Sequence, residues 1–172
     1  ERAFIEGYVT IEHPVRNGRK VAVIGAGPSG LAAANQLNYK GYEVTVFDRN
    51  EAPGGLLRYG IPNFKLNKKI IDRRLDVMEK EGVKFVCNSP VDVNSLPEGF
   101  DAYVIATGTP QARDLDAPGR KLKGIHLALE LLSQQNRILA GKEFSKAETV
   151  TCKGKKVLVI GGADTGSDRI RT

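Results

Sequence analysis

The stretch that most restricts the possible fold is Val21 to Asp48, VAVIGAGPSGLAAANQLNYKGYEVTVFD. Val21-Ala22-Val23-Ile24 is a short unbroken apolar run, the pattern of a strand buried on both faces. Gly25, Gly27 and Gly30 follow in G-x-G-x-x-G spacing. A small-residue helical pattern then continues through Leu37 to a stop at Gly41, and a second apolar run, Val44 to Phe47, ends in Asp48. Gly25 permits a tight turn out of the strand, Gly27 lets backbone approach a pyrophosphate, and Gly30 lets the helix pack closely on the sheet. The helix N-terminus offers unpaired N–H groups and partial positive charge to phosphates. Asp48 stands 18 residues after Gly30, where an acid can accept hydrogen bonds from both hydroxyls of an adenosine ribose. Alone, the glycine spacing is weak. With strand, helix and acid in register it predicts a dinucleotide site rather than a glycine-rich turn that binds nothing.

The rest of the chain extends this α/β pattern. Residues 1–19 read as a lead-in, with Ala3-Phe4-Ile5 ending a helix at Gly7 and Tyr8 to Val15 extended. Glu51-Ala52-Pro53-Gly54-Gly55 is a loop, and Leu56 to Leu66 has no clean period. A long loop at the carboxyl end of a parallel sheet is where ligands are met, and Gly54 and Gly55 would let backbone come against a flat ring. It reads equally as an Ω-loop packed on Leu57, Tyr59, Ile61 and Phe64. Asn67 is placed to cap a helix through Glu81, with Ile71, Leu75 and Met78 on one face and Gly82 as stop. Val83 to Cys87 and Asp101 to Ala106 read as strands, with a short irregular strand within Val91 to Pro97. The second of those strands is closed by Thr107-Gly108, placed to deliver backbone to the same crevice. Residues 111–152 form a crossing and a helix over His126 to Leu139, with Leu127, Leu131 and Ile138 on its apolar face and Gly141 as stop.

The pattern then restarts. Val157-Leu158-Val159-Ile160 leads into Gly161-Gly162-Ala163-Asp164-Thr165-Gly166, about 135 residues after the first such unit. Two strand-to-glycine units imply two nucleotide domains, one for a flavin and one for a nicotinamide dinucleotide. Ala163 takes the middle glycine position, where a Cβ crowds a pyrophosphate. The predicted architecture is a Rossmann-like doubly wound parallel sheet over 20–110, followed by the start of a second Rossmann unit at 153–172.

Other function classes fit poorly. The net charge of +6 invites nucleic acid, and Lys65, Lys68, Lys69, Arg73 and Arg74 do cluster. That stretch also carries Asp72, Asp76, Glu79 and Glu81 without interleaved aromatics, so it reads as a solvated helix face. No apolar run approaches the ~20 residues of a membrane helix. Cys87 and Cys152 are isolated thiols, as expected in a reducing, cytosolic setting, and they form no dithiol or iron–sulfur motif. His13 and His126 are read as surface or capping residues without a ligand partner, so no metal site is assigned. The chain opens on Glu1 without a leader pattern or an initiator methionine, as expected of an excised piece or of a chain that has lost earlier residues.

Longer motifs carry a resemblance. IGAGPSGLAAANQL, FDR, APGGLLRYGIPNFKL, DRRLDVMEKEGVKF, ATGTPQARDLDAPGR, KGIHLALELLSQQNR and GKKVLVIGGADTGSD resemble the small-subunit family of NAD(P)H-dependent glutamate synthases. They are also similar to the flavin half of dihydropyrimidine dehydrogenase and related electron-input flavoproteins. The resemblance runs from about Ala3 to the end, and RYGIP favours glutamate synthase. It implies hydride transfer from NAD(P)H to FAD, then one-electron steps through 4Fe–4S clusters to a glutamate synthase large subunit. It implies FAD pyrophosphate on Gly25, Ala26, Gly27, Pro28, Ser29 and Gly30, the ribose on Asp48, and Arg49 beside the adenine. Gly55 and Leu56 would approach the flavin through backbone, Lys65 would reach a phosphate or ribityl oxygen, and Val91 would serve the adenine end. Ala106, Thr107 and Gly108 would line the crevice, and Gly162, Ala163, Asp164 and Thr165 would begin the NAD(P) site.

The chain also departs from that family. The cluster-binding cysteines would lie before Glu1, and the segment completing the FAD domain would lie after Thr172. Ala163, Arg169 and Arg171 stand where the family has Gly, Cys and Gly. No catalytic side chain is named, because hydride transfer is cofactor chemistry and the fold's work is orientation. The competing reading is a non-catalytic Rossmann-type nucleotide-binding module.

Overall fold

Val21 to Ile24 lies at the centre of a four-stranded parallel sheet. The computed structural model describes residues 2–109, 111–112, 114–145, 147 and 149–161. The chain divides into two units, Glu1–Arg58 with Asn67–Gly108, and Tyr59–Leu66 with Thr109–Thr172.

In the first unit, α1 (Arg2–Ile5) is a single turn ended at Gly7. The glycine fingerprint lies between β1 (Lys20–Ile24) and α2 (Pro28–Tyr39), and β2 (Glu43–Phe47) follows. After α3 (Leu56–Tyr59) come α4 (Lys68–Lys80), β3 (Lys84–Val86) and β4 (Ala102–Ile105). The sheet order is β3-β2-β1-β4, with every pairing parallel. This is the first half of the doubly wound order. Val21 is paired with Val44 on one side and Ala102 on the other, so the apolar run has neighbours on both flanks. Val23, Val44, Val46, Ala34, Met78 and Val83 close one core, each buried valine contributing about 1.5 kcal/mol or more. Asn67 caps α4 as predicted, its Oδ1 accepting from Lys69 N–H at 3.0 Å, and Ile71, Leu75 and Met78 are all buried.

The lead-in is tied down by Arg16. Its guanidinium donates to Asn38 Oδ1 at 2.7 Å, Tyr42 O at 2.6 Å and Glu81 O at 2.9 Å. Gly41 is required here: a Cβ would stand 2.3 Å from Val15 O, at φ +86°. Within Val91 to Pro97 the structure has one antiparallel bridge, Asp92 to Ser95.

In the second unit, α5 (Ala128–Leu139) begins two residues later than predicted. Leu127 precedes the helix as its cap residue, Ile138 is exposed, and the buried face is Leu131 and Leu132 with Gln134 and Asn136. Those amides are buried because they pair with backbone. Gln134 exchanges two hydrogen bonds with Val150, at 2.9 and 2.8 Å, and Asn136 Nδ2 donates to Tyr59 O and Ile61 O, both at 3.0 Å. Val157 to Ile160 forms no strand among the described residues. Val157, Leu158 and Ile160 are 51%, 83% and 74% exposed, because a parallel strand without flanking partners has neither ladder nor cover. Among the described residues no helix is long and apolar enough to cross a membrane.

Candidate dinucleotide site

The turn between β1 and α2 has no room for side chains at two of its three glycines. At Gly30 a Cβ would stand 1.8 Å from Gly25 O, so α2 packs directly on the turn. At Gly25, φ is +105° and a Cβ would stand 2.4 Å from Ala106 O and 3.2 Å from Thr107 Cα. The exit of β4 therefore closes on the exit of β1. Gly25 N–H donates to Phe47 O at 2.7 Å and Ala106 N–H to Ile24 O at 2.8 Å, which continues the ladder to the carboxyl edge of the sheet. Gly27 differs. A Cβ there would meet nothing within 4 Å, its φ of −74° is ordinary, and Pro28 and Ser29 beside it are exposed. The open space lies at the N-terminus of α2, whose first N–H groups lack helical partners. The residues present thus fit a phosphate group: backbone donors, helix polarity, and a clear approach at the middle glycine.

Asp48 faces this turn and is 7% exposed. Its Oδ2 accepts from Ala26 N–H at 2.6 Å. Its Oδ1 accepts from Asn50 N–H at 2.8 Å and Asn50 Nδ2 at 2.9 Å. A carboxylate offers about four acceptor positions, so about one remains. Two ribose hydroxyls therefore cannot both bond to Asp48 in this arrangement unless one of these N–H groups is released. Asn50, which holds the carboxylate, is missed by the fingerprint. The only hint is an Asp followed two residues later by an Asn at a strand end, where such side chains bond local backbone.

The Pro53 to Arg58 loop lies on the same turn. Gly54 N–H donates to Ala26 O at 2.8 Å, and a Cβ on Gly55 would stand 2.7 Å from Gly27 Cα. Gly54 and Gly55 have φ of +126° and +50°, so both need the conformational freedom of glycine. Leu56, predicted to lie in irregular loop, instead begins α3 and is exposed. Arg58 Nε donates to Pro53 O at 2.6 Å and its guanidinium pairs with Asp72. Lys68 Nζ donates to Leu57 O at 2.9 Å. Burial, and then the charge of Arg58, lowers Lys68 from 10.5 to about 8. The Cys87 thiol is pushed up, first by burial and then by Asp48. In the sequence Lys68 and Asp72 read only as members of a charged helix face, and Arg58 only as part of the aperiodic loop.

The structure brings Gly25 to Gly30, Asp48, Gly55, Ala106 and Thr107 together. Arg49 and Gly108 are exposed and Val91 is half-buried, a short way after Ser89, whose N–H donates to Asp48 O at 2.9 Å. Lys65 belongs to the second unit, where it is exposed and its N–H donates to Pro62 O at 3.0 Å. Gly162, Ala163, Asp164 and Thr165, with Arg169 and Arg171, lie outside the described residues. His126 does have a carboxylate neighbour, contrary to the sequence reading: its Nδ1 is 3.5 Å from Oε2 of Glu130, four residues on. A pair is not a metal centre, and no group of three or more candidate ligands occurs among the described residues.

A parallel sheet in this order, with a glycine turn and an acid at its carboxyl edge, defines a nucleotide-binding α/β protein. The model of the pyridine nucleotide-disulphide oxidoreductase family matches residues 19–169, and the chain belongs to that family. Over its whole length it is 47% identical to the glutamate synthase (NADPH) small chain of Mycobacterium tuberculosis and 44% identical to the glutamate synthase (NADH) of Schizosaccharomyces pombe. It spans 37% of the first relative's length and 8% of the second's. The resemblance carried by the RYGIP and ATG motifs therefore holds across the chain. Mycobacterium tuberculosis FprA, solved in complex with NADPH, matches 69% of this chain and 29% of its own at 26% identity, with a TM-score of 0.61.

Proposed function

We propose that the first unit binds the AMP and pyrophosphate end of FAD, as part of an NAD(P)H-dependent flavin oxidoreductase of the glutamate synthase small-chain type. One observation carries the reading. The turn at Gly25 to Gly30 presents open space at Gly27, with the Asp48 carboxylate fixed at its flank. Gly25, Ala26, Gly27, Pro28, Ser29 and Gly30 would hold the phosphates, and Asp48 a ribose hydroxyl. Arg49 and Val91 would serve the adenine end, Gly55 and Leu56 the flavin end, and Ala106, Thr107 and Gly108 the crevice wall. FAD bound there supplies acceptance of hydride from NAD(P)H and release of single electrons. This chain's own work is to place and shield the nucleotide. Lys65 toward a phosphate or ribityl oxygen, and Gly162 to Thr165 toward NAD(P), belong to the same reading.

The relatives' names supply the rest of the proposal: a small chain implies a large-subunit partner, in glutamate formation. The 4Fe–4S clusters enter through the family resemblance, and a cytosolic setting through the two free thiols.

The test is a titration of FAD into the chain followed by flavin fluorescence, with NADPH then added anaerobically. Saturable quenching that Asp48→Ala weakens at least tenfold supports the FAD reading. Quenching by adenosine nucleotides alone, with no flavin preference, would leave a nucleotide-binding module. Bleaching of the flavin by NADPH would show that the nicotinamide site is assembled as well.

A further inference from the structure

The loop after the phosphate turn is clasped from two sides. One side is backbone on backbone, through Gly54 N–H to Ala26 O and the close approach of Gly55 to Gly27. The other side is α4: Lys68 Nζ bonds Leu57 O at 2.9 Å, while Asp72 pairs with the Arg58 guanidinium whose Nε bonds Pro53 O at 2.6 Å. Between them α3 is one turn of four residues, too short to persist by its own hydrogen bonds. The last carbonyls of any helix lack intrahelical partners, and Leu57 O is one of those that α3 leaves over. Lys68 supplies that partner across a gap its four-carbon stem can span.

We propose that Lys68 is a positioning residue for the flavin nucleotide. By bonding Leu57 O it sets the pitch of the turn at Gly55 and Leu56 against Gly27, and with it the place where that backbone meets the ring system. The proposal rests on the FAD reading above. Its motive is physical: an ammonium group partly withdrawn from water beside a second cation is costly, and an apolar side chain would fill the same place without that cost. Its bond to Leu57 O serves the loop.

The experiment titrates FAD into the unaltered chain, Lys68→Met and Lys68→Arg, by flavin fluorescence from pH 6.5 to 9, with thermal melts alongside. Charge-assisted hydrogen bonds are about twice as strong as neutral ones, so K68M should bind FAD about five- to tenfold more weakly at pH 6.5. K68R should lie within about twofold of the unaltered chain. Between pH 7 and 9 the unaltered chain should lose affinity as the ammonium gives up its proton, and K68R should stay level. The charged neighbours are Arg58 on α3 and Asp72 on α4, which pair with each other and are the same in all three chains. Cys87, which also senses Arg58, has its thiol pushed up, first by burial and then by Asp48. Equal affinity in all three chains with one shared pH profile overturns the proposal while leaving the FAD reading intact. No saturable binding by the unaltered chain overturns that reading and the proposal with it. If K68M melts below the assay temperature, the contrast in pH profile between K68R and the unaltered chain decides alone.

Discussion

Two stretches of this chain are almost the same word. Val21-Ala22-Val23-Ile24 runs into Gly25, and Val157-Leu158-Val159-Ile160 runs into Gly161. The glycines that end them take the same backbone conformation, with φ of +105° and +112°. The runs themselves differ completely. Val21 to Ile24 is at most 3% exposed and paired on both flanks, whereas Val157, Leu158 and Ile160 are more than half exposed and pair with no strand among the described residues. A glycine's turn conformation is a local property and is set by the residue itself. A buried strand is not local, because its hydrogen bonds and its cover are supplied by β2 and β4. Apolar composition is permission to be a strand, and neighbours are the cause.

The sharpest way to test that contrast is Gly30→Ala. Its Cβ would stand 1.8 Å from Gly25 O, so either α2 lifts from the sheet or the turn is rebuilt. A loss of more than about 3 kcal/mol is expected by urea unfolding, at the upper end for overpacking. A loss below about 1 kcal/mol would show that the helix start is not seated on the turn. Next comes the pair Gly25→Ala and Gly161→Ala. Both meet positive φ, but at Gly25 the Cβ would also strike backbone, at 2.4 Å from Ala106 O, while at Gly161 nothing among the described residues lies within 4 Å. We expect about 3 kcal/mol for G25A and about 1 kcal/mol for G161A. Equal costs would mean that the second turn has packed neighbours after all. Within the runs, Val23→Ala should cost about 2 kcal/mol and Leu158→Ala less than about 0.5 kcal/mol, since Val23 is fully buried and Leu158 is 83% exposed.

How far the sequence could be read follows the same division. The glycine turn after β1, the α4 cap at Asn67 and the parallel α/β class of the sheet were legible, because each rests on short-range geometry or on the apolar pattern of single elements. The start of α5 was missed because Leu127 satisfies the apolar period yet sits at extended φ and ψ of −72° and 144°, before the helix begins. Gln134 and Asn136 were invisible as buried residues, since what buries them is backbone of distant segments, Val150 for one and Tyr59 and Ile61 for the other. Within the candidate site, Asp48 was legible and its holder Asn50 was not. Lys68 was hidden in a run of charges that reads as a solvated face, and Arg58 in a loop without a clean period.

The loop that lies on the first turn is held by a group that titrates, and this yields the smallest of the expected effects. Lys68 is lowered from 10.5 to about 8, mainly by burial and then by Arg58. Between those two values the unfolded chain holds more protons than the folded one, so stability should rise with pH across that window. The cost of keeping the ammonium partly buried is fully present below pH 8 and is gone above pH 10.5. Lys68 keeps part of its contact with water, so solvent screening reduces the gain to well under what the shift alone would imply. Urea midpoints measured at pH 7.5 and pH 10 should therefore rise slightly for the unaltered chain relative to Lys68→Met, which has nothing to titrate at that position. The difference in slope is the informative quantity, because K68M also loses the bond to Leu57 O, and that loss displaces its curve as a whole. Parallel curves for the two chains would show that Lys68 is as well solvated in the folded state as in the unfolded one, and the clasp on the Pro53 to Arg58 loop would then carry no electrostatic cost.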